Sequence, residues 1–181
     1  MTHPNTTKPV VFLDRDGTLI REVDHLSDTA GLEVFSYSQE ALELLKVAGF
    51  RLIVVTNQSG IGRKYFSEGS MHEIHREIQR QLGGSIDKFY FCPHLPADGC
   101  RCRKPSLGMI EDACRDFAID LSNSWMIGDK AIDIELAEYA GIKSIMVTTG
   151  YGQLDKLSLK SRPDAVVDDL LLAAKHIIER I

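Results

Sequence analysis

Val10-Val11-Phe12-Leu13-Asp14-Arg15-Asp16-Gly17-Thr18 is the stretch whose reading decides the fold. Four apolar residues in a row, two of them β-branched, have the pattern of a strand buried on both faces. The run stops in Asp-x-Asp-Gly-Thr, so two carboxylates sit at the carboxyl edge of a central strand, the edge at which open α/β sheets bind ligands. Gly17 permits the sharp turn, and Thr18 is expected to hydrogen-bond back into it. Alone, the motif fits a plain acidic strand-to-turn junction equally well.

The same pattern recurs along the chain. Arg51 to Val55 is a second apolar run and ends in Thr56-Asn57-Gln58-Ser59-Gly60. Ile86 to Phe91 leads into Cys92-Pro93-His94, Ser124 to Ile127 into Gly128-Asp129-Lys130, and Ser144 to Val147 into Thr148-Thr149-Gly150, with Ala165 to Val167 last. Helical periods separate these runs. Gln39 to Ala48 turns Ala41, Leu44, Leu45 and Ala48 inward. Ser67 to Leu82 carries Ser70-x-x-Glu73 as a capping box, with His72 and His75 off the apolar stripe and expected in solvent. Ser106 to Phe117, Ala131 to Ala140 and a segment from Asp168 complete the set. Alternation of this kind predicts an α/β fold, a parallel sheet with helices on both faces and every polar strand end on one edge. No repeat or linker divides the chain, which reads as a single domain over residues 1–181. Leu19 to Ser38 has no period and is expected to loop over the same edge; Asp24 and His25 within it fit either a ligand-facing cover or a solvated connection.

The 181 residues are 44% hydrophobic, enough for a sizeable core, and the formal charge of −5 leaves no electrostatic footprint for nucleic acid. Met1 to Lys8 is polar, and no apolar run approaches the ~20 residues of a membrane span. A cytoplasmic protein without membrane or nucleic-acid partners is expected. Cys114 reads as a core residue. The other cysteines, Cys92, Cys100 and Cys102, join His94 in Cys-x-His-x5-Cys-x-Cys. Three thiolates and an imidazole form the donor set of a closed structural zinc site. Zinc in this loop, residues 92–102, would fix the chain just before Arg103 and Lys104.

At the sheet edge the strand ends collect Asp14, Asp16, Thr56, Asn57, Lys104, Asp129 and Asp133. Three carboxylates there can hold Mg²⁺. Asp14 can then attack phosphorus, and Asp16 can protonate the leaving oxygen and later activate water. Thr56 and Lys104 suit the transferred phosphoryl oxygens, as do Asn57, Gln58 and Ser59 at the second strand end.

Four motifs in this order, Asp14-Arg15-Asp16-Gly17-Thr18, Thr56, Lys104 and Gly128-Asp129 through Asp133, resemble the haloacid dehalogenase (HAD) superfamily of aspartate-nucleophile phosphatases, over nearly the whole chain. The resemblance implies a Rossmannoid three-layer sandwich without a large cap domain. It implies Asp14 as nucleophile, Asp16 as acid/base, and Mg²⁺ held by Asp14, the backbone oxygen of Asp16 and Asp129, with Asp133 in support. Within the superfamily, the zinc loop followed by Arg103-Lys104-Pro105 is similar to two branches. One removes the 7-phosphate of D-glycero-D-manno-heptose 1,7-bisphosphate for nucleotide-heptose and surface-polysaccharide synthesis; the other hydrolyses histidinol phosphate. Val23-Asp24-His25, Thr56 to Ile61 and Thr149 to Gly152 favour the heptose branch, while the short Leu95 to Gly99 segment resembles the histidinol one. In the heptose branch Asp24, His25, Arg103 and Lys130 would contact sugar or phosphate. The expectation is a magnesium phosphomonoesterase with structural zinc, acting as a monomer on a sugar phosphate. A catalytically idle zinc-loop binding module is the contrasting reading.

Overall fold

The computed structural model describes residues 7–181. Apart from Thr7 and Lys8, the polar stretch from Met1 lies outside the described residues. Six strands, β1 (Val10–Leu13), β2 (Arg51–Asn57), β3 (Lys88–Cys92), β4 (Trp125–Gly128), β5 (Lys143–Val147) and β6 (Ala165–Val167), form one sheet in the order β3-β2-β1-β4-β5-β6. Every pairing is parallel. The helices are α1 (Ser38–Val47), α2 (Ser59–Gly62), α3 (Glu68–Gln81), α4 (Gly108–Asp116), α5 (Ala131–Ala140), α6 (Gly152–Asp155) and α7 (Leu170–Ile178).

The alternation of side chains along β1 splits the core in two. Val11 and Leu13 pack with Ala41, Leu42 and Leu45 of α1, Ile74 and Ile78 of α3 and Ala173 and Ile177 of α7. Val10 and Phe12 pack on the opposite face with Met109, Ile110 and Ala113 of α4 and Leu136 and Ala137 of α5. The expected sheet with helices on both faces is therefore present. The chain winds outward from β1 to β2 and β3, then returns to β4 on β1's other side. This reversal opens a crevice at the carboxyl ends of β1 and β4. Between β1 and α1 only a short 3₁₀ turn, Thr29–Gly31, interrupts the loop, so no cap domain stands there. No helix among the described residues is long and apolar enough to cross a membrane.

Several local expectations change. Leu42, not Leu44, completes the buried face of α1 beside Ala41 and Leu45. Helix α3 is capped by Ser67, whose Oγ accepts from Ser70 N at 3.1 Å. Ser67 has the extended backbone a cap requires, while Ser70 already lies inside the helix. His72 is exposed as expected, but His75 is buried. Cys114 is exposed, because the inward face of α4 runs through Met109, Ile110 and Ala113 and turns the next residue outward. The hydroxyl of Thr18 is buried with no hydrogen-bond partner among the described residues. The turn closes through the backbone instead: Arg15 O accepts from Leu19 N at 3.0 Å and Gly17 N donates to Ile20 O at 2.8 Å.

Candidate active site and metal centres

The polar strand ends meet at the crevice. Asp14 N donates to Ile127 O at 2.9 Å, which holds the Asp-x-Asp turn against β4. Gly17 takes φ +83°, and a Cβ there would lie 2.3 Å from Asp129 Oδ2. A Cβ on Gly128 would lie 2.2 Å from Asp133 Oδ2. The turns can carry only hydrogen at these positions because carboxylates occupy the space beside them.

Lys104 is the hub. Its Nζ lies 2.9 Å from Asp14 Oδ1 and 2.7 Å from Asp133 Oδ1, and donates to Val55 O at 2.9 Å. Asn57 clamps the Lys104 backbone from both sides, accepting from its N at 3.0 Å and donating to its O at 3.3 Å. Burial works against the Lys104 ammonium, but Asp133 and Asp14 outweigh it and keep the group charged. Burial likewise works to raise the Asp14 carboxyl, yet Lys104 and Lys130 hold it below its ordinary value. Asp14 is thus an ionised, buried carboxylate.

Asp129 has the opposite balance. Burial and the charge of Asp14 push its carboxyl up to about 8. Its Oδ2 accepts from Tyr151 N at 2.8 Å, while its buried Oδ1 has no partner among the described residues. Asp133 is raised to about 6 by burial, with Lys104 opposing. Oxygens of Asp14, Asp129 and Asp133 lie within 4.8 Å of one another. Crowded acidic oxygens, Asp129 Oδ1 unpartnered among them, fit a small divalent cation, which would reverse the local field and keep all of them ionised.

Asp16 stands apart from this cluster. Its carboxylate takes Arg15 Nε at 3.0 Å, Arg15 Nη2 at 2.9 Å and Gln58 Nε2 at 2.8 Å. Gln58 Nε2 also donates to Thr56 Oγ1 at 2.8 Å, so one amide fixes both side chains. Asp16, Asn57, Gln58, Ser59, Arg103 and Lys130 line a cleft of about 210 Å³. The loop after β1 covers it as expected, through Glu22, Val23, Asp24, His25 and Leu26. His25 packs edge-on against Tyr65 at 4.9 Å. The Asp24 side chain, 90% exposed, stands at the rim. Lys130 does not reach into open space: its Nζ donates to Glu22 Oε2 at 2.6 Å and lies 5.0 Å from the Tyr151 ring.

Sequence reasoning did not pick out Arg15, Glu22, Tyr151 or His75. Arg15, flanked by the two aspartates, and Tyr151, within Thr149 to Gly152, lay in motifs that could have flagged them.

The second centre is local. Sγ of Cys92 lies 3.4 Å from that of Cys100 and 3.3 Å from that of Cys102, and Cys100 and Cys102 are 3.6 Å apart. His94 Nδ1 lies 3.2 Å from Cys102 Sγ and 3.6 Å from Cys92 Sγ. These separations are too long for disulfides and near the ~3.8 Å edge of a tetrahedron with Zn–S bonds of ~2.3 Å. The four donors fit zinc, with no position left open. Backbone bonds tie the loop to the site: Cys92 O accepts from Gln58 N at 2.7 Å and Pro93 O from Gly62 N at 2.9 Å. Arg103 Nη1 donates to His94 O at 3.2 Å.

Comparison with known proteins adds a family match, two relatives and a solved structure. A family model described as HAD-hydrolase-like matches residues 101–173. A D-glycero-beta-D-manno-heptose-1,7-bisphosphate 7-phosphatase of Pseudomonas aeruginosa is 32% identical over 177 residues, covering 96% of this chain and 99% of the relative. The corresponding protein of Neisseria meningitidis is 39% identical over 154 residues, covering 80% and 79%. The crystal structure of D,D-heptose 1,7-bisphosphate phosphatase from B. bronchiseptica, complexed with magnesium and phosphate, superposes with a TM-score of 0.88 at 30% identity, covering 96% of this chain and 99% of that one.

Proposed function

We propose, because this chain belongs to the HAD-like family of D-glycero-D-manno-heptose-1,7-bisphosphate 7-phosphatases, that it is a magnesium-dependent phosphomonoesterase removing the 7-phosphate of that bisphosphate. The observation that carries the reading is Lys104, bridging Asp14 and Asp133 beside the unpartnered oxygen of Asp129. Asp14 and Asp129, with the main-chain oxygen of Asp16, would hold the magnesium, and Asp133 would support it. When bound, the ion neutralises charge on the substrate phosphate and on the carboxylates around it.

Asp14 attacks the phosphorus of the 7-phosphate; the P–O7 bond breaks as an aspartyl-phosphate forms. Asp16 gives its proton to O7, and the alcohol departs. The Asp16 carboxylate then takes a proton from a water that attacks the same phosphorus, releasing inorganic phosphate and restoring Asp14. Lys104 and Thr56 stabilise the charge on the equatorial oxygens during both transfers. Asp133 and Asn57 hold Lys104 where those oxygens pass. Arg103 and Lys130, with Asp24, His25, Gln58 and Ser59 along the cleft, serve sugar and second-phosphate recognition, a guanidinium being suited to a second anionic group. The chain does this as one domain over residues 1–181. The unpaired thiols among the described residues support a cytoplasmic setting.

The relatives above carry the heptose name, and the histidinol phosphate reading raised by Leu95 to Gly99 is not favoured. An idle binding module would have no use for a buried lysine shared by two buried aspartates. Side-by-side kcat/KM values for the heptose bisphosphate and histidinol phosphate, with magnesium and with EDTA, test the reading. Preference for the heptose ester and silence in EDTA are expected; preference for histidinol phosphate would overturn the substrate.

A further inference from the structure

Arg15 lies between the nucleophile and the acid, yet the chemistry above gives it no task. Its side chain is 1% exposed. Its guanidinium folds back along its own neighbour, with Nε 3.0 Å from Asp16 Oδ2 and Nη2 2.9 Å from Asp16 Oδ1. A two-point fork of this kind fixes the plane of a carboxylate as well as its position. The remaining arm, Nη1, lies 3.3 Å from Nε2 of His75 on α3.

His75 is held as firmly as a core residue. Its ring stacks on Phe89 of β3 at 4.4 Å and 19°, and meets Phe91 edge-on at 6.4 Å. Burial, reinforced by the Arg15 charge, holds its imidazole far below the ordinary histidine range, at about 3. The ring is therefore neutral, with a lone pair available to accept from Arg15. A groove of about 430 Å³, lined in part by His72, His75, Phe89 and Phe91, lies on the far side. Without the imidazole, a buried guanidinium donor loses its acceptor and faces water from that groove. A donor so released re-orients toward new acceptors, and the fork on Asp16 moves with it.

We propose that His75 is a positioning residue for ester cleavage: acting through Arg15, it fixes the orientation from which Asp16 protonates the departing oxygen. The inference rests on the reading of Asp16 as the acid. It concerns the first transfer alone, in which an alkoxide must be protonated to leave.

The experiment compares two esters in single turnover, reading the rate of leaving-group release. The heptose bisphosphate loses an alcohol, which needs the proton; p-nitrophenyl phosphate loses a phenolate, which does not. Asp16→Asn is the reference and is expected to slow the heptose ester by about 10²-fold or more, and the aryl ester far less. His75→Phe is expected to slow the heptose ester about tenfold, with the aryl ester within about twofold and both KM values unchanged. His75→Gln, whose amide oxygen can accept from Nη1, restores the heptose rate to within about threefold. Arg15→Lys keeps the charge without the fork and repeats the selective loss, so the comparison survives a His75→Phe protein that does not fold. Equal slowing of both esters by His75→Phe or Arg15→Lys, no slowing, or failure of His75→Gln to rescue would overturn the inference alone. Equal slowing by Asp16→Asn would remove the reading of Asp16, and the inference with it.

Discussion

Asp14, Lys104, Asp129 and Asp133 are drawn from strand ends, a loop and a helix start spread over most of the chain, whereas Cys92, His94, Cys100 and Cys102 follow one another within eleven residues. The first group is buried, crowded with like charge and left with an unpartnered oxygen; the second runs from buried Cys92 to exposed His94 and is complete in itself. An incomplete donor set keeps room for a phosphate, and a complete one holds the chain still. Under the proposed function the difference divides the work: one centre is the one to react, and the other is the one to aim Lys104 at it.

The largest effect that would break this division is at Asp14. Asp14→Asn is expected to lower kcat by about 10⁴-fold or more while the far-ultraviolet circular dichroism is unchanged. Activity retained in that variant would move the chemistry elsewhere. Cys100→Ser tests the other side. Metal analysis should fall from about one zinc per chain to none, and kcat by up to about 10²-fold through misplacement of Lys104. If zinc loss left kcat intact, the loop would not be aiming the lysine.

How much of each centre can be read from sequence follows from the same contrast. The zinc ligands declare themselves by spacing because all of them lie within one loop. Asp14 and Asp129 are legible because each ends an apolar strand. The pairings of Arg15 with His75, 60 residues apart, and of Lys130 with Glu22, 108 apart, are not, because nothing local joins one partner to the other. His75 reads as solvated because it is polar, yet it lies four residues after Met71 and three before Ile78, on the buried face of α3. Cys114 shows the reverse, an apolar residue that the turn of α4 leaves outside.

Two smaller effects sharpen the electrostatic side. His75 is neutral in the folded chain down to about 3, against 6.5 for the free group. Above 6.5 both states are neutral and the histidine has no pH effect. Below it the unfolded chain gains the proton first, so stability falls with pH until the folded value is reached. At pH 5 the loss is about 2 kcal/mol, and urea titrations should show it in the wild type and not in His75→Gln. An identical acid slope in both would mean that the histidine is not buried neutral. Finally, Asp129, pushed up to about 8 without an ion, must release its proton to bind one. Calorimetry should show magnesium binding about tenfold or more weaker at pH 6 than at pH 8, with proton release. Affinity independent of pH would detach Asp129 from the metal.

The stereochemical course at phosphorus tests the central claim most directly. With an isotopically chiral phosphoryl group on O7 and turnover in labelled water, two successive in-line displacements through Asp14 give net retention. Net inversion would mean that water attacks the ester directly, and Asp14 would lose its place as the nucleophile.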